Sequence, residues 1–157
     1  MQKIFEIKSG LFIGLLLILF SFSFGEDIKN LKKSCNEGNA KVCFHLGSIY
    51  DGKDFRKALY FYEKSCSLGY PLACYDLGII YFYGHNVGKN IKKAIWFFKK
   101  ACDLDYSFAC NNLGVLYNQG IGVKRDYKKA KQFFKKACGL GDELACRNFM
   151  SMYKEKN

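Results

Sequence analysis

The chain contains few of the residues from which metal sites are built. Its two histidines, His45 and His85, lie forty residues apart, and no Cys-x-x-Cys pair occurs. Zinc sites need three or four ligands at short spacings, which this sequence does not offer. We therefore predict that the protein binds no metal and no other cofactor.

No apolar stretch is long enough to span a bilayer. The longest, Leu11–Phe24, has 14 residues, whereas a membrane helix needs roughly 20. Two lysines precede it, and small residues follow it at the −3 and −1 positions of a cleavage site, which is typical of a secretory signal peptide. We predict that residues 1–25 are such a peptide, cleaved between Gly25 and Glu26, and that the protein is periplasmic or secreted. An uncleaved anchor is the alternative; after cleavage no membrane span remains.

Cysteine, in contrast, is abundant and regularly spaced. Eight cysteines form four pairs, and the two members of every pair are eight residues apart. Successive pairs recur every 31, 36 and 36 residues: Cys35 and Cys43, Cys66 and Cys74, Cys102 and Cys110, Cys138 and Cys146. A fixed period of this length indicates a repeat architecture.

The repetition extends beyond the cysteines. The second and third full copies align without a gap, and the first is five residues shorter. Each full copy carries two runs of apolar residues at steps of three and four, the period of a helix face. We predict an all-α solenoid of stacked antiparallel helix pairs, with one domain over residues 26–157. Its units are a half copy, three full copies and a truncated cap: 26–37, 38–68, 69–104, 105–140 and 141–157.

Glycine and proline mark particular helix positions. Gly78 and Gly114 fall within predicted helices, where glycine costs about 1 kcal/mol relative to alanine. We interpret them as points of close helix approach. Pro71, the only proline, suits the first turn of a helix, where its missing N–H costs nothing. The fifteen phenylalanines and eleven tyrosines recur regularly, so we assign them to the core.

The cysteine spacing also indicates which cysteines form disulfides with each other. On one continuous helix, residues eight apart are separated by about 12 Å, whereas a disulfide needs Cα atoms within about 7 Å. The chain must therefore reverse direction between the members of a bonded pair. Of the 105 pairings that eight cysteines allow, the identical spacing favours the four local ones, each contributing about 2.5 kcal/mol.

The repeated motif is similar to a known family. Ala-Cys-x-x-Leu-Gly-x-x-Tyr is followed by Gly-x-Gly-Val and then by Lys-Ala-x-x-x-Phe-x-Lys-Ala-Cys. This pattern resembles the Sel1-like repeat, a relative of the tetratricopeptide repeat. With a cysteine pair in every unit, the chain resembles the Helicobacter-type cysteine-rich protein family, whose members are classed as β-lactamases and penicillin binders. The resemblance implies β-lactam binding or hydrolysis as an alternative activity.

The residues themselves support that activity weakly. Serine β-lactamases use Ser-x-x-Lys together with Ser-Asp-Asn and Lys-Thr-Gly elements. Only Ser151-Met152-Tyr153-Lys154 fits the first element, and the other two are absent. No Ser-His-Asp arrangement is indicated, and bonded cysteines leave no free thiol. The catalytic residues are therefore unknown, and any β-lactam turnover is expected to be slow.

The preferred function is the binding of a protein or peptide. Stacked helix pairs form a concave surface, mostly from the first helix of each pair. The two residues after each second cysteine vary between copies, whereas the framework positions repeat. Ordinary solvent-exposed positions would vary in the same way, and a cell-wall-derived ligand is an alternative to a protein. The predicted groove contacts are His45, Tyr75, Asp76, Asn111, Asn112, Arg147 and Asn148.

The chain is strongly basic, with 25 lysines and arginines, 14 acidic residues and a net charge of +11. Its lysines concentrate on the second helix of each predicted pair. A solvated convex surface is the simpler interpretation, and attraction to an anionic partner is the other. We predict no nucleic-acid partner, because no recognition motif occurs, and we expect a monomer.

Overall fold

The computed structural model describes residues 27–154. From α2 onward each helix packs against the next one in the chain, and residues 27–154 contain no strand. The predicted all-α solenoid of stacked antiparallel helix pairs is confirmed. The helices are α1 (27–36), α2 (Ala40–Tyr50), α3 (Phe55–Ser67), α4 (Pro71–Tyr83), α5 (Ile91–Asp103), α6 (Ser107–Gln119), α7 (Tyr127–Gly139) and α8 (Glu143–Lys154).

The helices alternate between two layers, which we call the inner layer (α2, α4, α6 and α8) and the outer layer (α3, α5 and α7). Within each pair the two layers meet at a glycine, which lies under an aromatic ring of the outer helix: Gly47 under Tyr62, Gly78 under Phe98 and Gly114 under Phe134. A Cβ atom added at Gly114 would lie only 2.5 Å from the Phe134 ring. The close helix approach expected at Gly78 and Gly114 is therefore present, and Gly47 shows the same approach.

A second aromatic contact repeats about one helical turn from the glycine in each pair. The stacked rings are Tyr50 on Phe61, Tyr81 on Phe97 and Tyr117 on Phe133, with centroids 5.6, 5.6 and 5.5 Å apart. A lysine ammonium lies against each tyrosine ring: Lys57, Lys93 and Lys129. This repeated packing explains why aromatic residues recur at fixed positions in the sequence.

Local signals define where the helices begin and end. Asp54, Asn90 and Asp126 each precede an outer helix and accept a hydrogen bond from the backbone N–H three residues later. Gly84 and Gly120 end α4 and α6 with φ values of 80° and 74°, a conformation that glycine adopts without strain. Polar caps and glycine stops thus hold the helices to 11–13 residues from α2 to α8.

Four disulfides join successive helix pairs. They are the four local pairs favoured by the spacing, and their Cα atoms are 4.8, 4.8, 4.8 and 4.5 Å apart. The first bond joins α1 to α2, and each later bond joins an outer helix to the next inner helix. Between the bonded cysteines the chain reverses through a residue with positive φ: Gly38, Gly69, Asp105 or Gly141. Disulfides at this density indicate an oxidising compartment.

Three of these four turns have glycine at the positive-φ position, whereas the third turn has Asp105, with a φ of 61°. Its carboxylate lies 2.9 Å from the ammonium of Lys136 on α7. The same ammonium donates a hydrogen bond to the carbonyl of Cys102, at 2.7 Å. The third turn is therefore tied to the following outer helix by its side chain.

The signal peptide predicted for residues 1–25, with cleavage between Gly25 and Glu26, lies outside the described residues. Among residues 27–154, no helix is both long and apolar enough to cross a membrane.

Candidate functional site

Two adjoining clefts run along the inner layer. One, of about 210 Å³, lies between α4 and α6, and the other, of about 130 Å³, lies between α6 and α8. Val115 and Gln119 line both clefts, so the two meet at these residues, and we call the two clefts together the groove. The groove is a surface to which three inner helices contribute side chains.

The wall of the larger cleft combines apolar side chains with amides. Ile79 and Tyr83 come from α4, whereas Asn112, Val115 and Gln119 come from α6. Tyr83 is 62% exposed, so its ring is accessible to a ligand. A surface of this kind can bury apolar groups of a ligand while its amides hydrogen-bond to a peptide backbone.

Sequence reasoning missed several of these lining residues. Ile79 and Tyr83 lie three and seven residues after Asp76, which places the three on one face of α4. Val115 and Gln119 stand in the same relation to Asn112 on α6. Extending each predicted contact along its helix face would have found these residues. The apolar character of Ile79 and Val115, however, made core positions the simpler assignment.

Two of the predicted contacts that directly follow a second cysteine, Tyr75 and Asn111, have a packing role. Tyr75 lies between α5 and the start of α6, with ring centroids 5.8 Å from Phe98 and 5.0 Å from Tyr106. Asn111 is only 7% exposed, and its side-chain oxygen accepts a hydrogen bond from Asn148 on α8. These side chains pack between successive units of the stack.

The remaining predicted contacts fall at different places. Asn112 lines the larger cleft, and Asn148 lines the smaller one. His45 is exposed on α2 with its ring 6.3 Å from Phe44, outside both clefts. Arg147 is exposed on α8, where it borders a separate shallow depression with Met150 and Ser151. The structure therefore brings the two asparagines to the groove and leaves His45 and Arg147 apart from it.

Asp76 has an unusual environment for a carboxylate. Its side chain is half-buried on α4, and no residue between 27 and 154 hydrogen-bonds to it or forms an ion pair with it. Burial, and to a smaller extent the nearby carboxylate of Asp51, raises the pKa of Asp76 to about 6. Asp76 does not itself line either cleft, but Ile79, one turn further along α4, lines the larger one. A partly desolvated carboxylate on such a helix face is a candidate for a binding site.

Tyr75 links this carboxylate's helix to the next inner helix. Burial raises the pKa of the Tyr75 hydroxyl, and a hydrogen bond between Tyr75 and Asn112 opposes the rise. The side chains of Tyr75 and Asn112 therefore lie close together, although they belong to neighbouring repeats.

The described residues contain neither a cluster of metal ligands nor a free thiol. No three His, Cys, Asp or Glu side chains of residues 27–154 are grouped closely enough to hold a metal ion. All eight cysteines are bonded. The hydroxyl of Ser151 donates a hydrogen bond to the carbonyl of Asn148 at 2.8 Å, and the side chain of Lys154 lies outside the described part.

Comparison with known proteins identifies the repeat. A family model for the Sel1 repeat matches residues 40–70, 71–106 and 107–142. The chain belongs to the Sel1 repeat family. Each match begins two residues after the corresponding copy predicted from the sequence. This fold is consistent with a role in binding proteins.

Solved structures of other Sel1 repeat proteins resemble this chain. A Sel1 repeat protein from Oxalobacter formigenes is 27% identical, with a TM-score of 0.74 over 80% of this chain and 98% of the other. Cysteine rich protein B of Helicobacter pylori is 33% identical, with a TM-score of 0.63 over 78% and 91% of the two chains. The similarity to a cysteine-rich Helicobacter protein, expected from the motif, is confirmed.

A third similar structure is longer. It is a protective antigen present in uropathogenic Escherichia coli strains, 25% identical, with a TM-score of 0.67 over 80% of this chain. The present chain covers 28% of that structure. No curated protein sequence matches the chain.

Proposed function

We propose that this protein is an exported interaction module that binds a segment of a partner protein in the groove of its inner layer. The observation that carries the proposal is the half-buried carboxylate of Asp76, which has no hydrogen-bond or ion-pair partner among the described residues and lies on the same face of α4 as Ile79 and Tyr83, two residues that line the larger cleft. Keeping such a carboxylate in the fold is costly, and binding a ligand is the simplest way in which it is useful.

The groove favours a particular kind of peptide. The apolar walls suit one or two hydrophobic side chains, and the amides of Asn112 and Gln119 suit a peptide backbone. The carboxylate of Asp76 suits a lysine, an arginine or a free amino terminus, because a cation would restore the interactions that burial removed. A short segment with one basic and one or two apolar residues therefore fits best.

Export and domain organisation complete the proposal. The signal peptide of residues 1–25 would direct the chain to the periplasm or outside the cell, where its disulfides form. The mature domain would then span residues 26–157 as a monomer. The half copy 26–37 and the truncated copy 141–157 would cap its two ends, as the terminal units of a solenoid do.

Selection of peptides tests the groove directly. Random peptides displayed on phage are panned against the purified, oxidised protein, and enriched sequences are synthesised and titrated by calorimetry. Asp76→Ala and Tyr83→Ala should each weaken binding about tenfold, the usual range for a contact in the centre of an interface. Lys128→Ala on the outer layer is the matched control and should leave binding unchanged. Enriched peptides that bind the groove variants as tightly as the natural protein would reject the proposal.

The alternative activity, β-lactam binding or hydrolysis, rests on the family resemblance. Its test is steady-state hydrolysis of a chromogenic cephalosporin by the oxidised protein, with Ser151→Ala as the matched variant. The enzyme alternative requires turnover above a heat-treated control. Turnover that is lost in the Ser151 variant would identify a serine nucleophile and would replace the pure binding role.

A further inference from the structure

The outward face of α5 combines an exposed indole with lysines. The Trp96 side chain is 57% exposed, although tryptophan is normally among the most buried residues. Lys92, Lys99 and Lys100 lie four before, three after and four after Trp96, so all share its helix face. The ammonium of Lys100 is 5.6 Å from the indole ring. The face therefore presents an apolar ring within a frame of positive charge.

The neighbouring outer helix extends the positive surface. Lys128 and Lys135 are exposed on the outward face of α7, at the positions that correspond to Lys92 and Lys99. α5 carries four lysines and α7 carries five, whereas the two helices together contain one acidic residue, Asp103. Three of these nine lysines pair with carboxylates outside the two helices: Lys93 with Glu63, Lys129 with Asp126 and Lys136 with Asp105. No ion pair joins Lys92, Lys99, Lys128 or Lys135 to a carboxylate of residues 27–154, so the outward face is positive.

A cleft between the same two helices adds an apolar element. It has a volume of about 200 Å³ and lies between α5 and α7. Ile95 and Phe133 contribute apolar surface to its lining, and Lys99 and Lys129 contribute lysine side chains from the two helices. Apolar surface flanked by ammonium groups matches the boundary between the acyl chains and the anionic headgroups of a bilayer.

We propose that this outer surface, the α5–α7 face (Lys92, Trp96, Lys99, Lys128 and Lys135), docks on an anionic phospholipid bilayer. Indole rings favour the interface between headgroups and acyl chains, and lysine stems lie along apolar surface while their ammonium groups reach the headgroups. Each lysine near an anionic membrane surface contributes to attraction. The exposed indole distinguishes a bilayer from a soluble polyanion, for which lysines alone would serve. Docking through the outer layer leaves the groove of the inner layer open to a ligand.

Trp96 is the only tryptophan in the chain, so its fluorescence reports on this face directly. The exported, oxidised protein is titrated with vesicles of phosphatidylcholine, with and without phosphatidylglycerol. The emission should shift to the blue only with the anionic vesicles, and added salt should reverse the shift. Lys92→Gln with Lys99→Gln should weaken partitioning onto the vesicles by about tenfold or more.

A matched charge control separates this face from net charge. Lys33→Gln with Lys41→Gln removes the same charge from exposed positions on α1 and α2 and should change partitioning less than about twofold. Trp96→Ser, followed by vesicle sedimentation, should weaken partitioning several-fold. Equal losses for the two lysine pairs, no loss for Trp96→Ser, or an equal blue shift with dextran sulfate in place of vesicles would each overturn the proposal. A failure here leaves the groove proposal intact, because the two surfaces lie on opposite layers.

Discussion

The inner and outer helices of one repeat differ most in charge. α6 contains no charged residue, whereas α7, its partner in the same pair, contains five lysines and no acidic residue. Both helices bury alanines and large apolar side chains against each other, including Leu113 on α6 and Phe134 on α7. The difference therefore lies entirely in the residues that face away from the shared core. It indicates that the two layers face two different environments.

The contrast also separates two uses of aromatic residues. Phe98 and Phe134 are buried over the glycines of the inner helices and define the spacing of the layers. Tyr83 and Trp96 are exposed, one in the groove and one on the outer face. The buried rings are fixed by the packing of the repeat, so these two exposed rings are the better candidates for function.

The largest expected effect on stability comes from removing a disulfide between an outer and an inner helix. Replacing Cys66 and Cys74 by alanine removes the central bond from α3 to α4, and both cysteines are fully buried. The free energy of unfolding, measured by urea denaturation, should fall by about 2–4 kcal/mol. Removing the bond between Cys138 and Cys146 should cost less, because it ties only the last helix. Equal losses at the two sites would show that the position of a bond in the stack is unimportant.

The next effect concerns the distance between the layers. Gly114→Ala places a methyl group against the Phe134 ring and should lower the free energy of unfolding by about 1–3 kcal/mol. Gly139→Ala is the matched control, because nothing lies within 4 Å of a Cβ atom there. That control should be neutral or stabilising by up to about 1 kcal/mol, as expected from helix propensity. A stable Gly114 variant would mean that the layers have room to separate.

A smaller effect concerns the carboxylate of the inner layer. The pKa of Asp76 is raised from 3.8 to about 6, so folding disfavours the ionised form. The cost is absent below about pH 4, grows as the pH rises to about 6, and is complete above that value. Asp76→Asn should therefore stabilise the protein by about 1–2 kcal/mol at pH 7.5, and the gain should vanish near pH 3.5.

Urea denaturation at both pH values measures this gain, and Lys128→Gln on the outer layer serves as the control. The outer lysine is exposed, so its replacement should leave stability nearly unchanged at either pH. A gain for the Asp76 variant that is independent of pH would contradict the burial of its carboxylate. The groove proposal adds that the stabilised variant binds peptides less well.

The smallest expected effect lies where the layers meet at the third turn. Asp105→Gly relieves a side chain held at positive φ but removes its contact with Lys136. The first change favours the variant and the second opposes it, so a net gain of less than about 1 kcal/mol is expected. The gain should increase in high salt, because salt weakens an exposed ion pair. Thermal unfolding at low and high salt measures the difference.

The fold was predictable because the same cysteine spacing, glycine positions and apolar pattern recur in each repeat. The Cys66 and Cys74 spacing requires a reversal of the chain, and the glycine at 69 permits it. The mid-helix position of Gly78 predicts close approach, which its contact with Phe98 confirms. A wrong structural prediction at one position is exposed by comparison with the equivalent positions of the other copies.

The groove was less predictable, because its residues depend on contacts between copies. Tyr75 varies between repeats as a ligand contact would, yet it packs against Tyr106 at the start of the next helix pair. Conversely, Ile79 follows the apolar pattern of a core residue, yet it lines the cleft. The helical period gives the face on which a residue lies, but the distance to the next repeat decides whether that face is covered.

The local pairing of the cysteines has a consequence for how the protein is made. Every bond joins residues eight positions apart, and no bond reaches across a later one. In export from the N-terminus onward, as proposed above, the second cysteine of each pair follows its partner before any other cysteine appears. Oxidation in order of emergence therefore yields the native set without reshuffling. We expect an oxidase alone to be sufficient for maturation, with no need for a disulfide isomerase.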